Sequence, residues 1–321
     1  MATKKPTKKT TKPAARATEK PAPKKAAATT VTRIIKPKAV AATARRSKKL
    51  DTSLPNNLVN IVVAETIGTF VLTLVALFSA YFMAPFYVGL TLMLMVMAVG
   101  AISGSHINPA VTFGLWSMRK LKTVLVPFYW ASQFLGAMAA VVLIGSLSGG
   151  GFALHFDQFT TFSWGIFGVE LVGMAVFMFG IAAALQRSNL KQSTMAVAIG
   201  MSLTVGLLVA GTLLPYVQNA AVTKHQAEQE KLLTTTNTEQ KERSYPREVY
   251  IGGATLNPAV ALAVTEKTES QLQSNAPAAQ KNEKAYTRLG LEVIAATLVG
   301  AALGGNLFLL VNYRTKTEES A

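Results

Sequence analysis

Apolar residues gather in six long runs, at roughly 58–82, 86–102, 125–146, 167–185, 195–214 and 289–311. Each run approaches the ~20 residues that cross ~30 Å of hydrocarbon. Within a run nearly every position is apolar, so periodicity does not separate a buried face from a lipid-facing one. A backbone in hydrocarbon finds no water to bond, so the runs predict helices. Shorter polar breaks divide them, and two longer polar stretches, 215–250 and 265–288, lie between the fifth run and the sixth.

Two further elements stand at the polar ends of these runs. Ile107-Asn108-Pro109-Ala110-Val111 and Leu256-Asn257-Pro258-Ala259-Val260 nearly repeat each other. Asn is a good helix cap, Pro fits the first helical position, and Ala is a good helix former. Read plainly, each is an ordinary helix start. Their duplication beside membrane-length segments predicts two half-helices that enter a bilayer from opposite sides and bring their positive N-terminal ends together at its midplane.

The halves match elsewhere. Ala64-Glu65-Thr66-Ile67-Gly68 opens the first span and Val169-Glu170-Leu171-Val172-Gly173 the fourth. Three spans per half invert the second half relative to the first. Asn108 lies 43 residues after Glu65, whereas Asn257 lies 87 after Glu170. The polar stretch 215–250 accounts for most of the excess. It reads as an outer cap with helix-like pieces near 225–233 and, in the second stretch, 266–273.

The longer stretches Ser103-Gly104-Ser105-His106-Ile107-Asn108-Pro109-Ala110-Val111-Thr112 and Gly252-Gly253-Ala254-Thr255-Leu256-Asn257-Pro258-Ala259 resemble the two pore loops of the major intrinsic protein family, the aquaporins and aquaglyceroporins. The resemblance covers roughly 58–313 apart from the two polar stretches. It implies an all-α membrane protein with six transmembrane helices, two re-entrant half-helices and an inverted repeat. It also implies a passive channel for water and glycerol-like polyols that excludes ions, a homotetramer with one pore per subunit, and no cofactor. The expected division is a tail at 1–56, a channel domain at 57–314 (repeats 57–148 and 163–314) and a C-terminal tail at 315–321.

Charge adds an orientation. The net charge is +16, of which residues 1–50 contribute +15 and the remainder +1. The basic tail, rich in Lys, Ala, Pro and Thr, cannot bury enough apolar surface to offset ordering and is expected to be disordered. Arg119, Lys120, Lys122, Arg187, Lys191, Arg314 and Lys316 mark one side of the membrane, while the stretch 148–163 carries no Lys or Arg. Basic loops stay inside, so both termini are expected in the cytoplasm of a plasma-membrane protein. The tail enforces this orientation and suits anionic lipid head groups. Binding of nucleic acid through backbone charge is the disfavoured alternative.

The resemblance assigns candidate sites residue by residue. Asn108, Pro109, Ala110, Asn257, Pro258 and Ala259 are the pore motifs, with each cap holding its backbone and leaving the side-chain amide free as a donor. Alignment on Gly89 and on Ala198-Ile199-Gly200 puts the outer constriction at Val88, Leu207, Ala254 and Val260. Most of the family has Arg at the last position, and next to Val260 stands Ala261 where the water and glycerol branches carry Ser or Asp. An all-aliphatic ring lacks the fixed charge and donors of a guanidinium and implies a wider, drier opening.

Glu65 and Glu170 are carboxylates within apolar runs, where a charge costs at least ~2.5 kcal/mol near a span centre. They brace the pore loops by accepting backbone N–H groups, or they relay protons in an inverted-repeat secondary transporter, the alternative reading of the chain. Glu292 is the one further charged group in the spans. His106 is expected to orient its loop. His106, His155 and His225 share no metal-ligand spacing, cysteine is absent, and no nucleophile–base pair is apparent, so neither a metal site nor an enzyme is expected.

Overall fold

The computed structural model describes residues 53–78, 83–149, 153–187, 189–233, 244–272 and 284–318, with side chains to 313. Residues 1–52 of the basic tail lie outside the described residues. Helices carry the fold: α1 (Leu58–Phe78), α2 (Ala84–Ser103), α3 (Pro109–Ser117), α4 (Val126–Leu147), α5 (Trp164–Gln186), α6 (Gln192–Leu233), α7 (Pro258–Ala263), α8 (Glu269–Leu272) and α9 (Leu291–Glu318). Six of them (α1, α2, α4, α5, α6 and α9) are long and apolar enough to cross a membrane. The shorter α3 and α7 are the half-helices. Among the described residues no strand forms, only isolated bridges such as His155 with Tyr286.

The two halves pack alike. In the first, α1 lies against α2 and α4; in the second, α5 lies against α6 and α9; α2 and α6 join them. At that junction a Cβ on Gly89 would stand 1.9 Å from Thr204 Oγ1 and 2.8 Å from the carbonyl oxygen of Gly200. Only glycine permits this approach. Gly136 admits the backbone of α1 in the same way, and Gly300 and Gly304 admit that of α5, where small residues let membrane helices close. Outward-facing apolar residues such as Val59, Leu90, Leu147 and Leu310 remain exposed, a surface suited to lipid.

Three boundaries differ from the sequence reading. The fifth span does not stop at 214. Helix α6 continues through Pro215 for 42 residues in all, so the first part of the polar insertion is an extension of span five rather than a separate cap element. Proline removes one backbone donor, the one facing the carbonyl of Gly211. The residues beyond it, with Gln218, Ala220, Ala221, Ala227 and Glu228, favour helix strongly enough to resume it. Of the piece expected at 266–273, the described residues, which reach 272, are helical over Glu269–Leu272, while Glu266 is drawn into the core with its N–H bonded to the carbonyl of Tyr286 at 2.8 Å. Finally, α9 begins at Leu291 and runs unbroken past 314 to Glu318, so the expected C-terminal tail starts as helix.

Candidate functional site

Each Asn caps its half-helix as its sequence predicts. Asn108 Oδ1 accepts the N–H of Ala110 at 2.8 Å, and Asn257 Oδ1 accepts those of Ala259 and Val260 at 3.0 and 3.4 Å. Pro109 and Pro258 stand at the first helical positions, where a missing N–H costs nothing. The side-chain amides are not wholly free, which corrects the expectation. Asn108 Nδ2 donates to the carbonyl of Leu256 at 2.8 Å, and Asn257 Nδ2 donates to the carbonyl of Ile107 at 3.0 Å. An amide nitrogen carries two hydrogens, so each Asn spends one on the opposite loop.

The residues before the asparagines share an unusual backbone. Ile107 has φ 39° and Leu256 φ 51°, the left-handed region that disfavours side chains with a Cβ. Buried carboxylates hold both in place. Glu65 Oε2 accepts the N–H of Ile107 at 2.6 Å and Oε1 that of His106 at 2.9 Å, with Ser103 Oγ and Gln133 Nε2 adding bonds at 2.6 and 2.8 Å. Glu170 Oε2 accepts the N–H of Leu256 at 2.8 Å and Oε1 that of Thr255 at 3.0 Å. His106 stacks on Tyr129 at 4.3 Å between ring centroids, and its Nδ1 lies 3.2 Å from Thr112 Oγ1. The other two histidines stand away from this loop, His155 beside Tyr286 and His225 beside Gln229.

The paired loops border a cavity of about 540 Å³. Asn108, Asn257 and His106 line it, as do Val88, Leu207, Ala254 and Val260. Residues placed on α2, α6 and the second loop by alignment thus meet around one space. Pro109, Ala110, Pro258 and Ala259 are buried parts of the two half-helices.

One cluster beside this cavity was not foreseen. Arg247 Nε pairs with Glu266 at 2.6 Å and its Nη1 with Glu292 at 2.9 Å, while Nη1 also donates to the carbonyl of Thr161 at 2.6 Å. Arg288 Nη2 pairs with Glu170 Oε1 at 3.0 Å, and its Nη1 lies 4.0 Å from Glu292 Oε1. All five side chains are buried. Burial pushes the Arg288 guanidinium below its usual range, with Glu170 the largest opposing influence. An arginine so placed stays protonated.

Comparison with known proteins adds the family. The family model described as "Major intrinsic protein" matches residues 55–223, a little over half of the chain. The chain belongs to the major intrinsic protein family. It is an integral membrane protein of all-α fold. Among the relatives of this channel family, Aquaporin NIP2-3 of Zea mays is 28% identical over 176 residues, which are 51% of this chain and 58% of that one. Aquaporin Z of Photorhabdus laumondii is 32% identical over 174 residues, 46% of this chain and 74% of that one. The chain thus spans little more than half of the maize protein. A solved structure, "X-ray structure of the aquaglyceroporin from Plasmodium falciparum", superposes with a TM-score of 0.46 at 16% identity, covering 78% of this chain and 93% of that one.

The family match ends within α6, before the second half-helix. The second Asn-Pro-Ala stretch is therefore described here by its geometry alone, in the capping of α7 by Asn257 and the bonds from Glu170. What sequence reasoning missed is the cation set. Arg247 and Arg288 lie in stretches that read as solvated, and their one local signal is the spacing of Arg288 four residues before Glu292 at the mouth of an apolar run.

Proposed function

We propose that this chain is a passive channel for water and small uncharged solutes, glycerol-sized polyols included, and that it excludes ions. The observation that carries the reading is the pair of opposed half-helices whose asparagines bond each other's loop at the wall of the cavity. Each asparagine keeps one N–H for a passing hydroxyl or water. The N-terminal ends of α3 and α7, each worth roughly half a positive charge, repel cations including hydronium.

Val88, Leu207, Ala254 and Val260 serve as the outer constriction in this reading, and their aliphatic surface adds a desolvation barrier against ions. Glu65 and Glu170 act as braces, with His106 orienting the first loop. Every oxygen of the two carboxylates accepts at least one bond from the loops, which favours bracing over the proton relay of a transporter. The chain is read as the channel domain 57–314 with cytoplasmic termini in the plasma membrane, assembled as a homotetramer, with the basic tail held against anionic lipid.

Stopped-flow swelling of proteoliposomes with water, glycerol, urea, ammonia and peroxide tests the reading. Rapid, saturation-free flux of water and glycerol is the expected result. Accumulation that requires an imposed proton gradient would return the chain to the transporter class.

A further inference from the structure

Helix α6 lays Leu203, Leu207 and Gly211 against the cavity. Residues four apart stand one above the other on a single helix face. The next position on that face is Pro215, still inside α6. A helical carbonyl points along the face to the N–H four residues on. The carbonyl of Gly211 is therefore aimed at a residue that has no N–H to give. The hydroxyl of the adjacent Thr212 turns back to the carbonyl of Val209 at 2.8 Å. Among the described residues no backbone N–H from outside α6 reaches Gly211. Gly211 is also exposed, and a Cβ built on it would have nothing within 4 Å. A backbone acceptor released from its ladder at membrane depth is tolerated where it borders a cavity that admits water or solute.

The chemistry around it makes an acceptor valuable. The segment after α7 brings Thr265, Glu266, Lys267 and Gln271 to the same cavity. Glu266 Oε1 is held by Arg247 at 2.6 Å, and Gln271 Oε1 accepts the N–H of Thr268 at 3.0 Å. A lysine side chain offers donors only. The asparagines of the two half-helices offer donors as well. A polyol hydroxyl accepts and donates, so its proton needs an oxygen.

We propose that the Gly211 carbonyl, released by Pro215, is a solute-binding acceptor of the pore wall that takes the O–H of a polyol or the N–H of an amide at the threshold of the aliphatic ring. The inference rests on the channel reading above. Four residues rise about 6 Å along a helix, so Gly211 stands one turn beyond Leu207. A three-carbon polyol whose body is at the level of Leu207 still has a trailing hydroxyl at the level of Gly211. The acceptor thus serves the solute where Val88, Leu207, Ala254 and Val260 have stripped most of its water. Water itself keeps water neighbours there and depends on the wall less. Pro215 is thereby a selectivity determinant that acts through the backbone of α6.

The test uses the full chain in proteoliposomes and the variant Pro215→Ala, which returns an N–H to the Gly211 carbonyl. Glycerol and urea permeability relative to water is expected to fall about fivefold, the worth of one neutral hydrogen bond. Dimethyl sulfoxide, which has no O–H or N–H to donate, is the control, with the flux of protein-free vesicles subtracted. Its permeability is expected to stay as in the parent. Pro215→Val supplies the same N–H and takes the place of Pro215→Ala if that variant does not fold. An unchanged glycerol-to-water ratio overturns the inference and leaves the channel reading standing. So does an equal fall for glycerol and dimethyl sulfoxide, which would mean that the proline sets pore width. Failure of both variants to fold would make Pro215 a scaffold residue and overturn it too. A parent protein that passes neither water nor glycerol overturns the channel reading and this inference with it.

Discussion

Asn108 donates its side-chain amide to the carbonyl of Leu256 at 2.8 Å, and that carbonyl belongs to the residue just before Asn257. Asn257 returns the bond to Ile107 at 3.0 Å. The two half-helices are therefore tied at their tips by side chains that also cap them, so that tip separation and cap geometry are one variable. Replacing Asn257 by Asp removes the donor to Ile107 and puts an anion beside the helix ends. Planar-bilayer recording should show cation current in Asn257→Asp and none in the parent. Ohmic cation current through the parent would refute the exclusion of ions.

The two buried carboxylates, Glu65 and Glu170, are not equivalent. The partners of Glu65 are neutral donors, whereas Glu170 also holds Arg288. Glu65→Gln should cost about 1.5–3 kcal/mol, the loss of a charge-assisted bond. Glu170→Gln leaves a buried guanidinium short of its partner and should cost about 3–5 kcal/mol. Thermal melts of both variants in detergent give the order directly, and equal losses would mean that Arg288 draws its compensation from Glu292.

Val260 is 4% exposed and lines the cavity. Val260→Arg should fill part of that space and reduce glycerol flux more than water flux in the swelling assay. Proportional loss of both would remove Val260 from the constriction.

The crossing of α2 and α6 sets the distance between Val88 and Leu207, since each lies on one of those helices. A Cβ on Gly89 collides with Thr204, so Gly89→Ala should force the helices apart and cost about 1–3 kcal/mol of stability. A melting midpoint equal to that of the parent would mean that Thr204 rotates away without strain.

Much of this architecture was readable because a membrane restricts what a chain can do. Spans show as apolar runs, half-helices show as Asn caps next to Pro, and Glu65 and Glu170 stand out because carboxylates in apolar runs are rare. The left-handed Ile107 and Leu256 did not show, since nothing in Ile or Leu encodes that conformation and it is imposed by the bonds around it. The run of α6 past Pro215 was hidden because proline and charge both suggest an end. Arg247, Glu266 and Arg288 were hidden for a different reason: charges in polar stretches look solvated until the fold pairs them.

The ion pair between Arg288 and Glu170 also bears on the order in which the molecule is made. The partners of Glu65 are complete once Gln133 has been synthesised, 68 residues later. Glu170 waits 118 residues for Arg288. The first loop can therefore be seated while the chain is still emerging, whereas the carboxylate of the second stays without its cation until α9 is about to enter the bilayer. Assembly of the second half is thereby tied to the last segment translated, and a chain truncated before Arg288 would present the insertion machinery with an unpaired acid in its fourth span.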